Sequence, residues 1–261
     1  MKKTIVIILF LLNQLSFSQN FENERARLIQ YKYFEVKNLA SHNSSWSQKK
    51  ILKNGLVFQN EHYFEGKLRS RQNYVYDNSG NQIYEIQNYS SNDSKVNDTL
   101  NTQKFTYNSE NILIQKVSNF EIVEKYSNFT KNGKPKLKEL FSTTQDSLFI
   151  YPFKEIITYD SKENIIKEVK YKITYSQEIN STKKNLQIET NEYKYDEFDN
   201  IIEIIRRYQP KIEFPIMMTG GKPLYEVERF RYVYNEYGLW TKMYQIVNRE
   251  EKLIKKRKFK K

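Results

Sequence analysis

Apolar and polar residues alternate along most of this chain with the period of two that β-strands require. Aromatic residues stand two positions apart, as at Tyr74 and Tyr76 or at Tyr193 and Tyr195, and such pairs project from one face of a strand. Runs rich in β-branched and aromatic residues follow, and these suit a returning strand. We therefore expect an all-β fold, an extended and twisted antiparallel sheet of consecutive β-hairpins.

A turn phrase recurs after the aromatic residues. Its first position holds Asp or Asn, whose side chain can accept a backbone N–H two residues on, and three residues later stands a residue that tolerates a left-handed backbone. These structural turn positions are Asp77, Gly80, Asn108, Asn111, Asp160, Asp196, Asp199, Asn235 and Gly238. In the copy that begins at Asp160, Glu163 breaks the rule, so the next residue, Asn164, is predicted to take the left-handed conformation.

Further local patterns complete the expected layout. A decayed copy of the turn is predicted at residues 129–133, and tighter hairpin turns at 54–55 and 65–66. Residues 21–39 have apolar positions near helical spacing and early acids, which favours a helix packed across the sheet. Tyr31 and Tyr33 could equally mark a strand.

The phrase Tyr-x-Tyr-Asp-x-x-Gly-Asn, closest at residues 74–81 and 193–200, resembles the YD repeat of RHS-type bacterial surface and secreted proteins. The resemblance covers roughly residues 70–246 and implies a β-sheet scaffold, secreted or envelope-bound, with no catalysis of its own. The segments at 54–55 and 65–66 are more weakly similar to MORN-like repeats.

Residues 1–18 have the pattern of a secretory signal, with Lys2 and Lys3 before an apolar run too short for the roughly 20 residues of a bilayer span. We expect export to the periplasm or the cell exterior, with cleavage after Ser18. The predicted division is therefore a signal at 1–18, an N-terminal segment at 19–50 and a β-hairpin repeat domain at 51–261. The chain has no cysteine, so disulfides and thiol-ligated metals are excluded.

The chain is basic, with 43 Lys and Arg against 31 Asp and Glu. Removal of Lys2 and Lys3 with the signal leaves 41 bases and 31 acids, a net charge of +10. This sign suits lipopolysaccharide phosphates, acidic glycans, nucleic acid or an acidic protein, and it also serves solubility. The tail at 252–261 is interpreted as a lysine-rich edge strand that blocks aggregation, with phosphate binding as the alternative.

One loop insertion stands out at 209–224, where three of the five prolines lie. Its apolar residues, Phe214, Ile216, Met217 and Met218, form a candidate partner-binding loop, since exposed loops and adaptable methionines suit contact surfaces. The alternative is that the loop folds back to cap the open end of the sheet.

Catalytic material is scarce. The two histidines, His42 and His62, are expected at the surface, and the sequence contains no recognisable nucleophile elbow, phosphate loop or dinucleotide fingerprint. We expect no cofactor and no metal. A carboxylate pair for glycoside hydrolysis stays open, because such pairs are defined in space. An outer-membrane barrel is disfavoured, because residues 167–170 place charge on both strand faces.

The expected function is an exported, non-enzymatic β-repeat scaffold that binds a cell-envelope component, a glycan or a partner protein. The first alternative is an immunity or antitoxin-like protein that neutralises a secreted toxin. The second is a hydrolase that uses carboxylates alone. The export signal argues against nucleic acid as the partner.

Overall fold

The computed structural model describes residues 26–39, 46–90, 96–119, 122–142, 152–178, 181–216 and 223–261. The expected signal at 1–18 therefore lies outside the described residues. The described residues form sixteen strands. They are β1 (Tyr33–Asn38), β2 (Trp46–Lys53), β3 (Leu56–Phe64), β4 (Lys67–Tyr76), β5 (Gln82–Ser90), β6 (Val96–Tyr107), β7 (Leu113–Ser118), β8 (Ile122–Phe129), β9 (Pro135–Ser142), β10 (Pro152–Tyr159), β11 (Ile165–Glu178), β12 (Ser181–Tyr195), β13 (Ile201–Gln209), β14 (Val227–Tyr234), β15 (Trp240–Val247) and β16 (Glu250–Lys260).

The strands form one closed antiparallel barrel in chain order. Each strand pairs with its sequence neighbours, and β1 also pairs with β16, from Tyr33 opposite Lys260 to Asn38 opposite Lys255. The expected open sheet was therefore wrong, although the all-β, antiparallel, consecutive arrangement of strands is as expected. Closure satisfies the backbone N–H and C=O groups that two free edges would expose, and the accumulated twist of a large sheet favours it.

The helix expected over 21–39 was also wrong in its described part. Only residues 26–28 form a helical turn, and β1 begins at Tyr33. In β1 the buried Phe34 and half-buried Val36 alternate with the exposed Glu35 and Lys37, so the period of two prevails over the helical spacing. The pairing of this strand on both sides then fixes its extended conformation.

The interpretation of the basic tail at 252–261 as an edge strand was also wrong, because the strand that contains it, β16, is paired on both sides. It hydrogen-bonds to β15 on one side and to β1 on the other. Its lysines therefore do not protect a free edge, and their presence needs another explanation.

One end of the barrel, here called the turn end, carries the connections that follow the even-numbered strands. At Asp77 the backbone N–H bonds to the Asn81 carbonyl at 2.9 Å, while the carboxylate accepts from the N–H groups of Ser79 and Asn81. The same backbone pattern begins at Asn108, Thr130, Asp160, Asp196 and Asn235, so residues 130–134 repeat the turn as expected of a decayed copy. The left-handed residues are Gly80, Asn111, Gly133, Glu163, Asp199 and Gly238, with φ from 60° to 85°.

The expected shift of the turn to Asn164 was wrong, because Glu163 itself is left-handed, with φ of 63°. The Asn164 backbone is held in place, since its N–H bonds to the Asp160 carboxylate at 2.8 Å and its carbonyl accepts the Asp160 N–H at 2.9 Å. The Glu163 carboxylate accepts a hydrogen bond from the Thr130 hydroxyl of the neighbouring turn at 2.9 Å. These bonds hold Glu163 in a conformation that glycine adopts more easily.

The recurring tyrosines join neighbouring hairpins at the turn end. The hydroxyl of Tyr159, on β10, donates to the Pro135 carbonyl at the start of β9 at 2.8 Å. The equivalent bonds run from Tyr76 to Val57, from Tyr107 to Gln82 and from Tyr195 to Ile165. In the last copy the residue before the turn, Tyr234, donates to the Asp196 carboxylate instead, and Tyr232, two residues earlier, donates to the Ile201 carbonyl. Each bond to a carbonyl satisfies an acceptor near the first residue of a strand, which gives the phenol at this position a structural role.

Strand register separates an inner face from an outer face. The inner face carries the most buried side chains of the wall, including Asn60, Gln72 and Glu155, because a concave surface crowds them. The main apolar cluster lies where the closing strands reach the turn end. Its buried members are Leu28, Tyr31, Phe34, Leu52 and Leu239. The helical turn at 26–28 is anchored there, since Arg27 donates to the Gly238 carbonyl at 3.1 Å.

We expect Gly238→Ala to destabilise the barrel more than Gly66→Ala. Both glycines are left-handed, with φ of 69° and 76°, so alanine is strained by about 1 kcal/mol at either site. A Cβ at Gly238 would lie 2.9 Å from the Phe198 ring, whereas a Cβ at Gly66 meets nothing within 4 Å. Urea unfolding measures both variants, and equal losses would contradict the close packing of neighbouring turns.

Candidate functional site: the charged inner and outer walls

Acids and lysines alternate across the inner wall from β7 to β12. The register places Lys116 opposite Glu124, Glu155 between Lys138 and Lys170, and Glu189 opposite Lys170. We call these six residues the inner charge ladder: Lys116, Glu124, Lys138, Glu155, Lys170 and Glu189. They come from six consecutive strands and are separated along the chain by turns and loops.

Two of the three carboxylates of the ladder are each shared between two of its lysines, and the third, Glu189, forms an ion pair with Lys172. Glu124 lies 2.9 Å from the Lys116 ammonium and 3.3 Å from that of Lys138. Glu155, only 3% exposed, lies 3.4 Å from Lys138 and 3.3 Å from Lys170. The charges therefore neutralise one another within the wall, as buried charges must.

The pKa values follow from this sharing. Burial would raise the pKa of Glu124, but the attraction of Lys138 and Lys116 outweighs it and lowers that pKa to about 2. Burial would lower the pKa of Lys138, yet Glu124 and Glu155 raise it above its ordinary value. Glu124 and Lys138 therefore both stay ionised at neutral pH. A general acid, in contrast, needs a carboxyl group whose pKa is raised.

Tyrosines and an arginine extend the network beyond the ladder. The Tyr126 hydroxyl donates to Glu124 at 2.7 Å, and the Tyr193 hydroxyl donates to Glu168 at 2.5 Å. On β13, Arg206 contacts Glu228 at 2.6 Å. Burial, reinforced by the adjacent carboxylate, raises the pKa of both tyrosines, so they act as neutral donors.

A neutral polar cluster occupies the inner face of β3 and β4. Asn60 Nδ2 lies 2.8 Å from His62 Nε2, and Gln72 Oε1 lies within hydrogen-bonding distance of both residues. Burial lowers the pKa of His62, so its imidazole is neutral. The expectation that His62 lies at the surface was wrong, because its side chain points inward and is 2% exposed. His42 lies outside the described residues.

The pKa of the neighbouring Glu85 is raised, chiefly by burial. Gln72 Nε2 donates to its carboxyl at 3.2 Å. Across the strands it faces Tyr74 and Gln103, neither of which is a carboxylate. Glycoside hydrolysis requires two carboxyl groups flanking one bond, and the cross-strand partners of Glu85 do not provide the second.

The turn positions singled out in the sequence lie at the turn end and make turn contacts. The carboxylates of Asp160 and Asp196 each accept two backbone N–H groups of their own turns. Asp199 accepts a hydrogen bond from Asn164 of the preceding turn at 3.1 Å. The structure therefore spreads these acids along a row of turns rather than around a common cleft.

The proposed partner-binding loop lies at the opposite end of the barrel, here called the loop end. The Phe214 ring lies 5.8 Å from that of Tyr208, and Ile216 forms a bridge with Leu224. Met217 and Met218 lie outside the described residues. The described part of the loop thus contacts the wall through Phe214.

The outer wall is unevenly charged. On β11 to β14 its charges are paired, as where Glu192 lies between Lys167 and Arg207 or Glu203 lies between Lys194 and Arg229. Where β15, β16 and β1 meet, lysines dominate instead. We call this outer surface the basic seam. Its exposed lysines are Lys37, Lys242, Lys256, Lys258 and Lys260.

The described residues contain no cluster of three or more His, Cys, Asp or Glu side chains placed to hold a metal. In the same part of the chain, no helix is long and apolar enough to cross a membrane.

No model of a protein family matches the chain, and no curated protein sequence matches it either. Solved structures show a distant likeness. A porin-like protein from Bacteroides uniformis is 10% identical, with a TM-score of 0.36, over 89% of this chain and 97% of that one. A mutant Tc holotoxin pore of Photorhabdus luminescens is 13% identical, with a TM-score of 0.32, over 80% of this chain and 9% of that one.

A crystal structure containing TcdB2 and TccC3 is 10% identical, with a TM-score of 0.27, over 81% of this chain and 14% of that one. All three TM-scores are below 0.5, so these likenesses support no functional conclusion. The resemblance to YD repeats therefore stays a prediction from the residues.

The inner charge ladder was missed in the sequence, although one signal pointed to it. The paired tyrosines mark the inner face, so counting back by twos from Tyr193 leads to Asn191 and Glu189. What the chain does not reveal is the register that sets Glu189 opposite Lys170. That register depends on the lengths of turns and strands and on their bulges.

We expect Glu124→Gln to destabilise the barrel by about 3 kcal/mol at pH 7, because two buried lysines lose a shared carboxylate. The pKa of Glu124 is lowered, so its stabilisation is present above the unfolded value of about 4.5 and is lost as pH falls toward 2. Urea unfolding of wild type and variant should therefore converge between pH 4.5 and 2. Glu139→Gln, on the outer face of β9, is the matched control, and an equal loss there would contradict the ladder.

We expect Lys255→Met to stabilise the barrel below pH 8. Burial, aided by repulsion from Lys50, lowers the pKa of Lys255 to about 8, whereas the unfolded value is 10.5. The unfolded chain then binds more protons between pH 8 and 10.5, so this lysine makes wild-type stability rise across that window. At about 1.4 kcal/mol per tenfold change in proton affinity, the gain below pH 8 reaches at most about 3 kcal/mol. Thermal or urea unfolding at pH 7 and 10.5 checks this, with Lys258→Met as the exposed control; a pH-independent difference would contradict it.

Proposed function

We propose that this protein is an exported, non-enzymatic β-barrel scaffold that binds an anionic component of the cell envelope. The observation that carries the proposal is the contrast between the two faces of the wall. Charges of the inner charge ladder are neutralised by one another, while exposed positive charge is concentrated on the outer face at the basic seam.

The state of the inner carboxylates supports a structural role. Nucleophiles and general acids need carboxyl groups that are free to act on a substrate, with pKa values suited to the task. In the inner charge ladder, Glu124 and Glu155 instead contact two lysines each, and the Tyr126 hydroxyl takes a further position on Glu124. These groups hold strands together.

The outer wall favours a water-facing barrel. Arg207, Glu203 and Arg229 occupy the outer face of adjacent strands in ion pairs, and a lipid-facing arginine costs about 2–4 kcal/mol at the bilayer midplane. A protein of this kind would meet the envelope through its surface charge, which attracts anions over about one Debye length, roughly 8–10 Å at physiological salt.

Export rests on residues 1–18, whose pattern is that of a secretory signal. Envelope surfaces rich in phosphate and carboxylate groups would then be the first polyanions that the mature chain meets. The net charge of +10 after removal of Lys2 and Lys3 has the sign that such a partner needs.

The test is co-sedimentation of the purified chain from Gln19 onward with bacterial envelope preparations. We expect binding at 0.01–0.15 M salt and its loss near 1 M, where the Debye length is about 3 Å. In parallel, cell fractionation of the full chain, with and without residues 1–18, should place only the intact form beyond the inner membrane.

Protein-stripped envelopes are the control for the chemistry of the partner. Retained binding to them supports a glycan or lipid-borne anion. Binding that requires envelope proteins, or that ignores salt, would overturn the proposal and favour a protein partner, as an immunity protein would have. Turnover of an envelope glycan by the purified chain would contradict the non-enzymatic part.

A further inference from the structure

The basic seam contains three lysines that are direct cross-strand neighbours. Register places Lys256 opposite Lys242 on one side and opposite Lys37 on the other, all on the outer face. Adjacent strands lie about 4.8 Å apart, and like charges directly opposite destabilise a sheet. An arrangement of this kind opposes the closure of the barrel at the strands that close it.

No acid relieves this row from its flanks. The next residues in register are Val233 beyond Lys242 and Ser47 beyond Lys37, and both are uncharged. Among the residues that the structure describes, none of the three lysines forms an ion pair, in contrast to Lys167 and Lys194 on the same wall.

The row continues along β16, where Lys258 and Lys260 point outward at every second position. Glu35 is the acid set among them, opposite Lys258. Successive outward residues of a strand are about 6.7 Å apart, so the lysines are spread over a surface both along β16 and across the neighbouring strands. Such a surface matches a partner whose negative charges repeat along a chain.

The aromatic rings beside the basic seam are already covered by cations. The Lys49 ammonium lies 4.7 Å from the centre of the Tyr33 ring, and the Arg231 guanidinium lies 4.3 Å from that of Tyr244. Single-stranded nucleic acid is bound largely by stacking of its bases on free aromatic faces. The basic seam offers charge without such faces, which favours a polyanion recognised by its charge alone.

We propose that the basic seam is the binding surface for an acidic polysaccharide that carries carboxylate or phosphate groups along its chain. This proposal rests on the proposed function, and it assigns a binding surface and a ligand class to that function. The polyanion lies across Lys242, Lys256 and Lys37 and neutralises their mutual repulsion, so binding also stabilises the closure between β16 and β1.

The experiment compares wild type with the triple variant Lys37→Gln, Lys242→Gln, Lys256→Gln. The probe is polygalacturonate, with neutral dextran as its uncharged counterpart. We expect about a tenfold or greater loss of polygalacturonate affinity, since three exposed ion pairs are removed. The variant should also melt at a higher temperature than wild type without ligand, and polygalacturonate should raise the melting temperature of wild type only.

The matched control is Lys104→Gln, Lys131→Gln, Lys136→Gln, which removes the same charge from exposed lysines elsewhere. It should keep wild-type affinity. A control that loses as much affinity as the triple variant would show attraction by net charge and overturn the site. Circular dichroism of both variants checks that each folds.

The remaining outcomes separate this inference from the proposed function. If wild type and the triple variant bind polygalacturonate equally, the basic seam is not the site, while salt-sensitive envelope binding would still stand. If wild type binds neither polygalacturonate nor envelopes, both proposals fail. DNA of equal charge bound as tightly as polygalacturonate would overturn the partner class.

Discussion

The hydrogen bonds between β1 and β16 are the constraint on which the rest of this structure depends. They join Tyr33–Asn38 to the last strand and turn a sixteen-stranded sheet into a closed wall. Once the wall is closed, its two faces are no longer equivalent. The inner one crowds its side chains, so any charge there needs a partner, and the outer one leaves its side chains to solvent.

Neighbouring hairpins are joined at the turn end through tyrosine hydroxyls, turn carboxylates and close packing between turns. Tyr159 donates to a carbonyl of the adjacent strand, and Asn164 reaches the Asp199 carboxylate of the next turn. The recurring phrase of the sequence is thus a device that fixes a hairpin relative to the one before it. The recurring positions of this phrase, its acids and tyrosines, therefore have a structural role in joining the hairpins.

The distribution of charge also differs between the inner and outer faces of the wall. On the inner wall Glu124 and Glu155 each lie between two lysines, and their ion pairs run along the direction of the backbone hydrogen bonds. At the closing strands Lys242, Lys256 and Lys37 lie side by side without an acid opposite them. The mutual repulsion of these three exposed lysines, in contrast to the paired charges on the outer face of β11 to β14, is the physical basis for the proposed polyanion partner.

The sequence by itself determined the local structure. The Asp77 and Asn108 turns, the glycine hairpins at 54–55 and 65–66 and the strand on either side of each follow from backbone preferences that act within a few residues. Tertiary structure decided the rest, because closure, register and burial depend on residues far apart in the chain. The pairing of β1 with its neighbours places Phe34 in a strand although the surrounding residues have a helix-like pattern. Strand register likewise buries His62 and places Lys170 between Glu155 and Glu189. Each of these outcomes requires a partner strand that no local pattern specifies.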